Sequence, residues 1–151
     1  MGPHMKFRTL TPSDDAAALA ALHAACFSAG WDAHDFETYL TRPSDDVIGG
    51  FIRGTLIGLA VIRTAVDQSD ILTIAVAPKA RGKGAGAKLL AAAERVIAAR
   101  GATIVFLDVA EDNAHAVALY RRAAYVQHGR RSGYYSRPES RMAALLFQKR
   151  L

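Results

Sequence analysis

Cysteine is almost absent: Cys26 is the only one in 151 residues, so no internal disulfide can staple the chain, and its stability has to come from a packed core. Long apolar runs are missing too. None approaches the roughly 18 residues that a membrane span requires, and nothing after the opening MGPHM, whose first four residues read as a cloning scar, has the pattern of a signal peptide. The five histidines are scattered without metal-ligand spacing, one of them in the scar, so no metal site is expected. Internal repeats, low-complexity tracts and interdomain linkers are also absent. Residues 5–151 are therefore read as a single cytoplasmic domain, long enough to bury its own core.

Charge is uneven rather than scarce. The chain carries a net +5, and most of the excess falls in YRRAAYVQHGRRSGYYSRPESR, where tyrosines alternate with arginines as they do in single-strand binders. No recognisable nucleic-acid motif accompanies that stretch. Direct nucleic-acid binding is not expected, and the positive charge suits an acidic ligand or solubility.

The periodicity predicts a mixed α/β chain in the order β-α-α-β-β-β-α-β-α-β-β. MKFRTL reads as a strand, and TPSDDAAALAALHAACF as a helix with Thr11 at the N-cap and Pro12 at its first position. AHDFETYL is a second short helix. DVIGGFIR and TLIGLAVIRTAV form a hairpin turned at RGT, and ILTIAVAP is a strand closed by Pro78. A long amphipathic helix ends at Gly101 as C-cap, and TIVFLDV is a buried strand. NAHAVALYRRA is helical and AYVQHGRR a strand, while RMAALLFQ is a last strand whose composition also permits helix.

One stretch calls for a ligand. ARGKGAGAKLL places Gly82, Gly84 and Gly86 at the mouth of the long helix, although glycine inside a helix costs roughly 0.5–1 kcal/mol relative to alanine. Bare backbone at a helix N-terminus suits an anion, because about four N–H groups there lack partners and the macrodipole is positive. The P-loop pattern fails, since Lys88 is followed by Leu89. A dinucleotide pattern matches literally at Gly82, Gly84 and Ala87, but its turn stands too far from the strand and Asp108 too far beyond it to bind ribose. The pattern [RQ]xxGx[GA] is met by Arg81, Gly84 and Gly86.

With that loop, the preceding ILTIAVAPKA, the strand IVFLDV and NAHAVALYRRAAY in this order, the sequence resembles the GNAT superfamily of N-acetyltransferases from about Lys6 onward. GWDAHDFETYL and GRRSGYYSRPESRMAALLF make it similar to the branch that acetylates the N-terminal alanine of a small-subunit ribosomal protein. The resemblance implies a centrally splayed β-sheet flanked by helices, with acetyl-CoA as cosubstrate in the wedge between the splayed strands. Ile74, Ala75 and Val76 would offer main-chain groups to the acetyl and pantetheine portion. Arg81, Gly82, Lys83, Gly84, Ala85, Gly86 and Ala87 would wrap the pyrophosphate. Asn113 would contact the cofactor, or cap its helix, or both. Tyr120 would protonate the departing thiolate, whereas Tyr125 reads as core.

Asp108 stands where the branch has a glutamate as base. It is one methylene shorter, so it reaches the amine through a water or serves only to bind nearby backbone, and Glu111 is the reserve. Trp31, Tyr134 and Tyr135 would line the acceptor slot or simply pack under a loop. Cys26 reads as a structural thiol. The implied partners are acetyl-CoA and a protein N-terminus, with no membrane, and the implied assembly is a monomer or weak dimer. Lysine or a small-molecule amine is the alternative acceptor, and a non-catalytic acyl-CoA-binding module the alternative function.

Overall fold

The apolar runs pair into one seven-stranded sheet. A computed structural model describes residues 4–136 and 141–151, with backbone alone at 133–136 and 141–142. Its strands are β1 (Met5–Thr9), β2 (Asp45–Ile52), β3 (Thr55–Ala65), β4 (Gln68–Val76), β5 (Ile104–Ala110), β6 (Val126–Ser136) and β7 (Arg141–Arg150). They lie in the order β1-β2-β3-β4-β5-β7-β6. Among the described residues four α-helices cover the sheet: α1 (Ala16–Cys26), α2 (Ala33–Thr41), α3 (Ala85–Ala99) and α4 (Ala114–Arg122). RMAALLFQ is thus strand, placed between β5 and β6. No helix among the described residues is long and apolar enough to cross a membrane.

Local chemistry explains the element ends. The hairpin between β2 and β3 turns on Arg53 and Gly54, both at positive φ, as a two-residue turn matched to strand twist requires. The strand β4 starts at Gln68, three residues before the apolar run suggests. At the end of α3, Gly101 (φ 87°) follows the C-cap Arg100. There Ala102 N–H bonds to Ile97 O and Gly101 N–H to Ala98 O, the two bonds of a Schellman ending.

The start of α1 corrects the expectation. Its N-cap is Asp15, whose carboxylate accepts from Ala17 N and Ala18 N, not Thr11, and Pro12 lies outside the helix. Thr11–Asp14 forms a turn instead, with Asp14 N–H bonded to Thr11 O at 2.9 Å and Pro12 at the second turn position that its fixed φ suits. Asp14 then accepts from Thr11 N and from Arg8. The Arg8 guanidinium holds the Asp14 carboxyl down to about 2.

Two features position the site. Among the described residues the only parallel pair joins β4 to β5 through Gln68–Ile71 and Ile104–Leu107, and beyond Leu107 the strand β5 continues beside β7 to Ala110. The β4 edge past Ile71 is therefore left open towards β5. Second, the β3–β4 register shifts between Val61, opposite Thr73, and Ile62, opposite Ile71, which makes Leu72 a bulge residue. In a regular strand Ile71 and Ala75 would share a face. Here Ile71 packs with Leu89, Leu90 and Ile97 of α3, while Ala75 packs with Leu19 and Leu22 of α1 and Phe36 of α2. The bulge thus turns the last residues of β4 just where the sheet opens. Tyr125 is core, 3% exposed, with its hydroxyl donating to Glu94 of α3.

Candidate active site

A cavity of about 700 Å³ opens beside the unpaired end of β4. One wall is Ile74, Ala75 and Val76, another the loop and first turn of α3, and a third α4 from Asn113 to Arg122. Its lining comes from both faces of the sheet. Ala75 and Cys26 belong to the α1–α2 side, whereas Ile74, Val76, Leu119 and Tyr120 belong to the α3–α4 side. The opening therefore runs through the level of the sheet.

The α3 end of the cavity is made of backbone. Gly84 is the N-cap of α3 in left-handed conformation (φ 75°) and provides no side-chain cap, so the N–H groups of Ala85, Gly86 and Ala87 lack the usual capping acceptor. The first intrahelical bond is Lys88 N–H to Gly84 O. Gly82 (φ 80°) and Gly84 are required by conformation, since a Cβ at either would meet nothing within 4 Å. Gly86 has a different reason: its Cβ would come within 3.3 Å of Leu119 Cδ2, where α3 meets α4. Arg81 lines the cavity and also donates from Nε to Val76 O at 3.0 Å. Lys83 is exposed and is not among the lining residues.

Asn113 caps α4, its Oδ1 accepting Ala116 N–H at 3.2 Å, and it lines the cavity. The cap leaves its amide nitrogen as the group for a ligand. Tyr120 is buried in the same wall, with its ring 5.9 Å from Tyr125 and 6.3 Å from Phe147. Sequence reasoning missed His115, Ala116, Leu119 and Arg122, which also line the cavity. Helical spacing was the signal: Ala116 stands four residues before Tyr120, and His115, Leu119 and Arg122 follow at i, i+4 and i+7. Cys26 is half-buried at the cavity rather than sunk in the core, and its Sγ donates to Val76 O at 3.3 Å. With Arg81 also bonded there, the Val76 carbonyl has no lone pair left for a ligand.

Asp108 lies outside that cavity. Leu107 and Val109 point into the α3 side, so Asp108 between them projects from the opposite face, where it is exposed. A second acid, unread in the sequence, stands with it. Asp70 on β4 is in register with Phe106, one same-face position before Asp108. Partial burial and then the Asp108 charge raise the Asp70 carboxyl above its ordinary value, against the opposing pull of Arg63. Glu111 is tied up by contrast. Arg130 donates to both its oxygens, at 2.9 and 3.0 Å, and holds it below the usual glutamate range, which makes it a poor base.

Trp31 sits on the loop between α1 and α2, stacked on His23 with centroids 4.7 Å apart and 4.8 Å from the Tyr39 ring. It packs rather than lining the cavity. Tyr134 and Tyr135 fall in β6, and their side chains lie outside the described residues. Among the described residues no group of three or more His, Cys, Asp or Glu could hold a metal ion.

Comparison with known proteins agrees with this fold. The model of the Acetyltransferase (GNAT) family matches residues 16–125. N-alpha-acetyltransferase RimI of Mycobacterium tuberculosis is 36% identical over 127 residues, covering 80% of this chain and 78% of the relative. A mycothiol acetyltransferase of Clavibacter michiganensis is 42% identical over a shorter stretch of 72 residues, 48% of this chain and 24% of the relative. The crystal structure of the ribosomal-protein-S18-alanine N-acetyltransferase from Escherichia coli superposes with a TM-score of 0.89 at 21% identity, over 97% of this chain and 94% of that one.

Proposed function

The chain belongs to the acetyltransferase (GNAT) family, and from that premise we propose that it moves the acetyl group of acetyl-CoA to a protein N-terminal α-amine, with the N-terminal alanine of a ribosomal protein as its acceptor. The observation that carries this reading is the opening at the end of β4, lined from both faces of the sheet. A thioester held from the α3–α4 side can there meet an amine arriving from the Asp70–Asp108 side. The RimI relative, aligned over four fifths of the chain, supports the acceptor class.

Ala85, Gly86 and Ala87 N–H groups take the pyrophosphate, with Arg81 adding charge beside it. Asn113 offers its amide nitrogen to the pantetheine, and the β4 edge from Ile74 to Val76 aligns the thioester through its remaining main-chain groups. The acceptor's α-amine has a pKa of about 8 and attacks only when neutral. Asp108 takes its proton, directly or through a water, and Asp70 beside it favours the arriving ammonium over a neutral competitor. Attack on the carbonyl carbon makes the amide C–N bond and breaks the C–S bond. Tyr120 then gives its proton to the sulfur, a modest assistance because a thiol of pKa about 8.5 leaves readily as thiolate.

The two acids would also receive a lysine or a small cationic amine, and the mycothiol acetyltransferase relative makes a small-molecule amine the second reading. A CoA-release assay decides among them. Acetyl-CoA is offered with peptides beginning in alanine, peptides with blocked N-termini and internal lysine, and small amino sugars, and products are weighed by mass spectrometry. Turnover confined to the free N-terminal peptides is expected. Turnover of lysine or amino sugars alone rejects the acceptor, and acetyl-CoA binding without any turnover rejects catalysis in favour of an acyl-CoA-binding module.

A further inference from the structure

Of the buried ionisable side chains that the transfer chemistry leaves unused, Asp45 is paired with Arg63 and Tyr125 with Glu94, whereas a third bridges several elements. His23 of α1 is 4% exposed. Its ring lies on the Trp31 indole at an interplanar angle of 8°, with Phe27 at 4.5 Å and Phe36 edge-on at 5.7 Å. Nδ1 accepts the backbone N–H of Trp31 at 3.0 Å. A ring nitrogen that accepts a hydrogen carries none, so the neutral ring bears its proton on Nε2 and donates it to Thr73 Oγ1, 3.1 Å away. One imidazole thereby joins α1, the loop before α2, and β4 immediately past its bulge. A turn further along α1, Cys26 bonds to Val76 O. The end of α1 thus grips both ends of the Thr73–Val76 segment that borders the cavity.

We propose that His23 is a positioning residue which, as the neutral Nε2–H tautomer, fixes the Trp31 loop at the acceptor side against the β4 segment at the donor side, and that protonating it frees the loop and weakens acceptor binding. The proposal rests on the reading above, in which the amine arrives on the Asp70–Asp108 face of the sheet, the face that α1 and α2 cover. The physical step is simple: an imidazolium has two donors and no acceptor, so the Trp31 N–H would face another N–H in a buried place. From α2 the Asp35 carboxylate faces the ring and favours the cation, although it already accepts Asp32 N–H. The Tyr39 phenol packs behind Trp31, β4 presents the uncharged Thr73 hydroxyl, and α1 itself adds the Cys26 thiol. Burial outweighs Asp35 and puts the ring below its ordinary 6.5. The latch is accordingly engaged at neutral pH and is lost as pH falls below 6.5 towards the ring's own lower value.

Trp31 is the chain's single tryptophan, so its emission reports on the latch with no substrate present. Acid titration of the free protein is expected to change that emission in one step with its midpoint below the ordinary 6.5. The step should vanish in His23→Asn, which keeps an acceptor for the Trp31 N–H but cannot ionise, and in His23→Leu. In His23→Leu the Trp31 amide should exchange with solvent about fivefold faster or more, with His23→Asn close to wild type. The same loss should raise the acceptor KM about fivefold at neutral pH and leave the acetyl-CoA KM within about twofold. As pH falls, the wild-type acceptor KM should rise relative to that of His23→Asn, a ratio that cancels titration of the peptide's own amine. An emission step that survives in His23→Asn overturns the proposal, as does a wild-type amide exchange rate in His23→Leu. Altered exchange with an unchanged acceptor KM overturns its acceptor half. Failure of every acceptor in the wild type would instead strike the proposed function, while emission and exchange still decide the latch.

Discussion

The two sides that we propose receive donor and acceptor are built from different materials. Around the cavity the proposed recognising groups are mostly main chain, namely left-handed Gly84, the N–H groups of α3 and the open edge of β4, with Arg81 and Asn113 adding side chains. On the opposite face they are side chains, Asp70 and Asp108 on neighbouring strands, with Trp31 held on its loop by the buried His23 and Phe36. Backbone recognition is fixed by φ and ψ and tolerates change of side chain, so it suits a donor common to a whole family. Side-chain recognition can be rewritten one residue at a time. The acceptor is therefore the part of the activity that the family likeness constrains least.

If that division is right, substitutions on the two sides separate in the kinetics. The largest effect is expected from Asp108→Asn, which should lower kcat/KM for the acceptor by about 10²–10⁴, the range of a positioned general base. Acetyl-CoA affinity by calorimetry should be unchanged. A loss of acetyl-CoA affinity would put Asp108 on the donor side and break the comparison. Gly84→Val comes next, because forcing a β-branched residue to φ 75° costs about 1–3 kcal/mol. Acetyl-CoA binding should weaken by about tenfold or more, with acceptor selectivity among peptides preserved. Unchanged affinity would remove the glycine loop from the phosphate site. Tyr120→Phe should slow kcat about tenfold, since the thiolate leaves without much help. A slower acyl-transfer step with unaltered KM for both substrates is the expected pattern, and an undiminished rate rejects the proton donor.

Most of the fold was legible because its cues are local. The two-residue positive-φ turn at Arg53–Gly54, the ending at Gly101 and the glycine loop before α3 are each fixed by residues a few positions apart. Failures arose where a local cue had two uses. Thr11-Pro12 suits a helix start and a turn equally well, and the Arg8–Asp14 pair, a contact between different elements, selects the turn. In the cavity wall, Tyr120 of α4 and its N-cap Asn113 were readable from NAHAVALYRRA. Asp70 was not, because only the register of β4 on β5 brings it beside Asp108. His23 and Cys26 were equally hidden, since both bond to β4 at a separation of 50 residues.

The smallest effect tests the acid pair itself, through stability as well as catalysis. The Asp70 carboxyl lies above its ordinary 3.8, pushed by burial first and by Asp108 second. For an acid this means that the folded state binds the proton more tightly than the unfolded one. Stability therefore falls as pH rises from 3.8 through the folded value, and the penalty is complete above it. Asp70→Asn removes the charge and should raise the melting temperature at neutral pH by about 1–2 °C, a small gain because solvent screens an exposed group. Below pH 3.8, where both proteins are neutral at this position, the difference should close. In the same variant the acceptor KM should rise two- to threefold, about the worth of a screened charge pair, with acetyl-CoA KM unmoved. A variant that melts lower at neutral pH would mean that Asp70 is a net structural partner of Arg63. The acceptor face would then offer the incoming ammonium Asp108 alone.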